Sequence, residues 1–268
     1  MENLIAIKTN CYKGFDLERS LQGIKKAGFK YLELSASPGN SSEISRFAPF
    51  DKLCELRALI KKYDLIPIGL GGHTNIMDED LTIGFIDNIR LCNFFGCKYF
   101  VCSVGGDKDY DDQTVIDKLN YFMPYLEEYD VNIVIELHGK FATGEKLEKI
   151  VKGVNSKRVT INYDTANIMY YSGVGTDFIL KDLENSVDLA GYFHIKDKLG
   201  ERNEWNFPAL GKGYIPLEEI FKIIDKHQNK SFMTVEIEFT PEGVKNAQEV
   251  DEAVLESAKY LKEHGFSL

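Results

Sequence analysis

Basic charge is what this chain has too little of. Its 32 Lys and Arg stand against 42 Asp and Glu, for a formal net charge of -10 over 268 residues. Surfaces that hold nucleic acid non-specifically are normally basic, so no nucleic-acid partner is expected. Long apolar runs are missing too. None approaches the roughly 20 residues that span a bilayer, so no membrane partner is expected. The opening M-E-N-L-I-A-I-K lacks a basic region followed by a long apolar core, and no secretory leader is expected. Cysteine is sparse, with five residues and no compact framework. Cys92 and Cys97 fall on or just after a helix and Cys102 in a strand, which is poor geometry for one metal site. Buried thiols in a reducing cytoplasm are the expectation.

What is present is a regular alternation of strand and helix signals, with a 44% hydrophobic share that suits a sizeable core. Strands are expected near residues 4–8, 31–34, 65–70, 98–104, 131–138, 159–164, 189–196 and 232–239. Asp16 and Gly28 bracket the first helix as cap and stop. Further helices are expected near residues 50–63, 80–95, 113–129 and 248–263. A shorter one follows Thr143, Thr176 caps another, and Pro216 opens the next. Eight units at intervals of roughly 27 to 43 residues imply parallel strands joined by helical crossovers.

An open doubly wound sheet and a closed barrel share that pattern. Central strands of an open sheet are apolar on both faces. Here one face is apolar (Leu32, Leu34, Ile133, Ile135, Ile161, Phe193, Val235, Ile237) and the other carries Lys8, Asn10, Glu33, Glu136, Asp164, His194 and Glu236. The expected fold is therefore an α/β (β/α)8 TIM barrel, a single domain over residues 1–268.

In such a barrel the active site lies at the C-terminal ends of the strands. Glu136, Asp164, His194 and Glu236 end strands five to eight. Three carboxylates and an imidazole brought together are costly without a cation. Hard oxygen ligands with one imidazole suit Mn²⁺ or Mg²⁺, with Co²⁺ or Zn²⁺ as alternatives. Glu236 and Glu238 both point inward, about 7 Å apart along the strand. His138, inward beside Glu136, and His73, after Gly71-Gly72, are candidates to touch substrate. Lys196 either holds a substrate oxygen or is a solvated rim lysine. Trp205, the only tryptophan, lies with Phe207 in a loop that is either a lid over the site or a hydrophobic plug.

The motifs I-E-L-H-G (135–139), Y-D-T-A-N (163–167), H-I-K-D-K (194–198), E-W-N-F-P-A-L-G-K-G (204–213) and V-E-I-E-F (235–239) give the chain a resemblance to the xylose isomerase-like barrel superfamily of sugar isomerases and ketose 3-epimerases. The resemblance covers nearly the whole chain. It implies one divalent metal on Glu136, Asp164, His194 and Glu236, with Glu238 left for a loop, substrate or supporting role. It also implies a small sugar or sugar derivative as partner, and dimers or tetramers as common assemblies. Two departures stand out. Ketose 3-epimerases usually carry a histidine three residues after the aspartate ligand, here Asn167, and a second glutamate six residues after the first, here Ala142.

The expected function is a metal-dependent sugar isomerase or epimerase. Glu136 or Glu236 removes a proton next to a carbonyl through a metal-stabilised enediolate. The alternative is a lyase or dehydratase on a keto-sugar or cyclitol. Behind these stand a non-catalytic sugar-binding barrel and an endonuclease IV-type repair enzyme. The latter needs three zinc ions and many more histidines than the five present.

Overall fold

The alternation is realised as eight strands and nine helices among the described residues of the computed structural model, 2–36, 43–78, 82–106 and 108–268. The strands are β1 (Ile5–Lys8), β2 (Tyr31–Ser35), β3 (Ile66–Asn75), β4 (Tyr99–Ser103), β5 (Asn132–Glu136), β6 (Val159–Asp164), β7 (Ala190–Ile195) and β8 (Phe232–Val235). The helices are α1 (Leu17–Ala27), α2 (Phe50–Lys62), α3 (Thr82–Phe94), α4 (Asp112–Glu128), α5 (Gly144–Val154), α6 (Asn167–Ser172), α7 (Thr176–Ser186), α8 (Leu217–Lys226) and α9 (Ala247–Glu263). All strands pair in parallel in chain order, and β1 pairs with β8 to close a (β/α)8 barrel.

Local chemistry sets the helix ends. The Asp16 carboxylate accepts from Arg19 N–H at 2.7 Å, and Gly28 ends α1 in the left-handed conformation that a side chain resists. Thr143 caps α5 and Asn246 caps α9. Thr176 is not a cap: it is the first residue of α7, and Gly175 takes the cap position with no side-chain bond. The start expected at Asp80 for the third helix lies outside the described residues. α6 was not foreseen, because six residues are too few to show a helical period.

The apolar strand faces pack under the helices in one continuous core. Inside the barrel the lower layer is Ala6, Ile68, Val101, Val134 and Tyr192, with Tyr31, Tyr99 and Phe232 at its base. The layer above is polar. Two glycines on β3 make room for it: a Cβ at Gly69 would stand 2.8 Å from Tyr192 Oη, and one at Gly71 2.9 Å from Glu33 Oε1. Register aligns Asp164 with His194 and Lys8 with Glu33. The last strand is shorter than its alternation predicts. Phe207 forms an antiparallel bridge with Phe239 and draws the chain out of the sheet, with Phe239 at φ +56°. Glu236 stays in register because its N–H still donates to Ile195 O at 3.1 Å. No helix among the described residues is long and apolar enough to cross a membrane.

Candidate metal centre

Glu136, Asp164 and His194 come from the ends of β5, β6 and β7, and Glu236 directly follows β8. Each offers one atom to a group lying within 4.8 Å of one another, and all four are buried. Three of them are anchored by groups outside the cluster, Asp164 and His194 through one atom each and Glu236 through both oxygens, since Lys196 Nζ donates to its Oε2 at 3.1 Å. Asp164 Oδ1 accepts from Ala166 N–H at 2.9 Å and Asn167 N–H at 2.8 Å, while its Oδ2 is buried without a hydrogen-bond partner among the described residues. Glu236 Oε1 meets Lys8 Nζ at 2.5 Å and Asn10 Nδ2 at 2.9 Å, and its Oε2 lies 3.4 Å from His194 Nδ1. His194 Nε2 is 2.8 Å from Glu33 Oε2, and its Nδ1 faces Glu136 Oε1 at 2.7 Å and Asp164 Oδ2 at 3.7 Å. Glu136 is the exception. Only Oε1 is engaged among the described residues, and its side chain lines a cavity of about 60 Å³ with Lys8, Gly71, Val101, Cys102, Ser103 and His138.

The charges answer one another. Burial pushes the Glu136 carboxyl up, but the hydrogen bond and charge of His194 outweigh it and hold the group down at about 2. Burial likewise opposes ionisation of Glu236, yet Lys196, Lys8 and His194 hold it well below the carboxylate range. Burial pushes His194 down, and the carboxylates of Glu33 and Glu236 carry it well above an ordinary imidazole. Glu238 is raised, chiefly by burial. The donor set fits a divalent ion: three carboxylates, one imidazole, and an orphaned Asp164 Oδ2 turned toward the common point.

The xylose isomerase-like TIM barrel family model matches residues 21–264. The chain belongs to that family. A search of curated proteins gives no match. Among solved structures, IolI with a bound zinc atom superposes at TM-score 0.77 with 19% identity, covering 98% of this chain and 99% of that one. D-allulose 3-epimerase from Methylomonas sp. gives 0.74 and 16%, with 98% of each chain covered, and it has also been solved with D-allulose. AsbF of Bacillus anthracis, assigned as a 3-DHS dehydratase, gives 0.71 and 16%, covering 98% and 99%.

The other sequence candidates sit around this xylose isomerase-like centre in different ways. His138 lies just past β5 and lines the cavity. Its Nε2 is 2.5 Å from Tyr171 Oη, and its Nδ1 is buried without a partner among the described residues. Lys196 is no solvated rim lysine: it is 2% exposed, bonded to Glu236 Oε2 at 3.1 Å and to Glu238, with its ammonium 4.2 Å from the Phe207 ring centre. Phe207 is fully buried and the Trp205 ring stands edge-on to it at 5.1 Å, so the base of this loop is a plug. Glu238 lies outside the four-ligand group and accepts from Asn10 at 3.4 Å. The His73 side chain lies outside the described residues. Asn167 Nδ2 is committed to Leu137 O at 3.1 Å, and Ala142 is buried. The cysteines are free: Cys92, Cys97 and Cys102 are buried and belong to the core.

Sequence reasoning listed Lys8, Asn10 and Glu33 as inward but gave them no task. The same period-2 alternation that picks out the four candidate ligands contains them. Tyr171 and Tyr192 carried no comparable signal, since an aromatic near a core reads as packing.

Proposed function

We propose that this protein is a divalent-metal-dependent enzyme that moves a proton on the carbon next to a carbonyl of a sugar or sugar derivative, as an isomerase or epimerase. The observation that carries the reading is the arrangement of ligands. Three are anchored by groups outside the set, and the fourth, Glu136, opens on the cavity. Glu136, Asp164, His194 and Glu236 would hold the ion. Mn²⁺ is the first expectation from the oxygen-rich set, and the zinc in IolI keeps Zn²⁺ in view. The chemistry a divalent ion supplies there is Lewis acidity toward the negative charge that builds on a carbonyl oxygen as the neighbouring proton leaves.

The chain's own groups divide the remaining work. Glu136 Oε2, free of protein hydrogen bonds among the described residues, takes the proton and returns it. Glu236 stays ionised between Lys8 and Lys196 and serves mainly as a ligand. His138 Nδ1 holds a substrate oxygen, its ring set by Tyr171. Lys196, Trp205 and Glu238 form the wall on the β7–β8 side, and His73 is retained as a substrate contact from its sequence position. The complex of the allulose epimerase with its sugar supports the substrate class.

A lyase or dehydratase is the second reading. It begins with the same proton removal and ends with loss of a leaving group. Asn167 and Ala142, which depart from the ketose 3-epimerase pattern, favour it, as does the likeness to AsbF. Incubating Mn²⁺-loaded protein with a panel of keto-sugars in D₂O tests both. Deuterium at the carbon next to the carbonyl with isomer exchange supports the isomerase, and water loss supports the lyase. No exchange with any keto-sugar contradicts both.

A further inference from the structure

Glu33 has no part in the reaction above, yet it is among the most enclosed charged groups of the barrel, fully buried on β2. A buried carboxylate is unfavourable unless it is paired and hydrogen-bonded, and this one is. Its Oε2 accepts from Tyr192 Oη at 2.9 Å and meets His194 Nε2 at 2.8 Å, and its Oε1 is 3.4 Å from Lys8 Nζ. Thr234 Oγ1 lies 2.6 Å from Tyr192 Oη. Since the tyrosine proton goes to Glu33, the threonine hydroxyl donates to the tyrosine oxygen, and a chain Thr234–Tyr192–Glu33–His194 runs through the barrel. Gly71 opens the space for Glu33 and Gly69 the space for the Tyr192 hydroxyl.

A neutral imidazole carries one proton, and a partner that accepts it decides which nitrogen is left with the lone pair. We propose that Glu33 is a positioning residue for the metal centre: it accepts the Nε2 proton of His194 and so commits Nδ1 to the ion. This rests on the metal reading above. Nδ1 is the nitrogen that faces Glu136, Asp164 and Glu236, so ring orientation and lone pair point to the same place. Lys8 completes the support by bridging Glu33 and Glu236, which ties the group behind His194 to a neighbouring ligand.

The direct test uses chelator-treated wild-type protein with isotope-labelled histidine, loaded with the NMR-active isotope of cadmium. The expected result is metal–nitrogen coupling at Nδ1 of His194, with a slowly exchanging proton on Nε2. Coupling at Nε2 overturns the positioning role and leaves the metal reading standing. No cadmium binding at His194 overturns both. Two variants supply a second readout. Glu33→Ala should weaken Co²⁺ binding on the order of 10- to 100-fold and alter the visible spectrum of the bound ion. Glu33→Gln keeps an acceptor oxygen for Nε2–H and should recover most of the affinity. Folded Glu33→Ala protein with wild-type Co²⁺ affinity and spectrum would overturn the proposal.

Discussion

Glu136 and Glu236 carry the same functional group in different surroundings, and the proposed reading gives them different work. Glu236 is gripped by Lys8, Asn10 and Lys196, whereas Glu136 meets only His194 among the described residues and lines the cavity. Glu136→Gln, measured in protein confirmed to hold metal, should therefore lower kcat/KM by roughly a hundred- to ten-thousand-fold, the usual contribution of a proton-transfer group. Lys196 gives a stability test at the same scale. Its removal leaves Glu236 and Glu238 facing each other in a nearly water-free wall. Lys196→Met should cost about 3–5 kcal/mol in urea unfolding, where a rim lysine would cost no more than about 0.5 kcal/mol. The sequence alternation put all four candidate ligands on the inward face because it reports which way a strand residue points. It could not distinguish Glu136 from Glu236, because Lys8 and Asn10 reach Glu236 from more than 200 residues away in the chain. The Tyr171–His138 contact is invisible because it too is tertiary, joining residues 33 apart on different elements.

Among the elements, the loop after β7 is the one built to hold a fixed shape. Asp197 accepts from the N–H groups of Lys198, Gly211, Gly213 and Ile215, and Lys198 Nζ, with three protons to donate, sits within hydrogen-bond distance of four backbone carbonyls between Leu199 and Glu204. A Cβ at Gly213 would stand 2.2 Å from Asp197 Oδ1 and 2.4 Å from Lys198 O, and the latter is backbone. Gly213→Ala should cost about 1–3 kcal/mol and speed hydrogen exchange at Gly211 and Ile215 before it affects the barrel. The first and last helices are joined differently. Asp251 on α9 takes a 2.7 Å bond from Arg19 on α1 and another of 2.7 Å from Tyr12 Oη. Burial pushes this carboxyl up, and Arg19 with Tyr12 holds it below its ordinary value. A depressed value stabilises the fold above the unfolded-state pKa near 3.8 and the benefit fades as pH falls through the folded value. Asp251→Asn should thus cost about 1 kcal/mol near neutrality, with the gap to wild type closing below about pH 4 in denaturant titrations. The element order was legible because apolar periodicity and caps such as Asp16 and Gly28 are local. The shortened β8 and the helix α6 were not, since the Phe207–Phe239 bridge and the packing of residues 167–172 are tertiary.

Among the described residues, most of the buried charge lies at one end of the barrel. Five carboxylates (Glu33, Glu136, Asp164, Glu236 and Glu238) stand against two lysines and one imidazole, a balance consistent with one divalent cation, and under the proposed reading such an ion stabilises the fold over the unfolded chain. An ion present at about 100 times its dissociation constant should add about 2.7 kcal/mol. That raises the thermal midpoint by about 5–10 °C, and chelator should reverse it. A midpoint indifferent to both would show that the cluster is a structural ion network. The barrel itself was readable from eight evenly spaced units with one polar face, whereas the cavity was not, because its walls come from β1, β3, β4 and β5 together. The most direct measurement is anomalous diffraction from crystals grown with Zn²⁺. The account predicts one ion bonded to Glu136, Asp164, His194 Nδ1 and Glu236 at about 2.0–2.2 Å. An ion held by Glu238 in place of Glu236, or no ion at this end of the barrel, would contradict it.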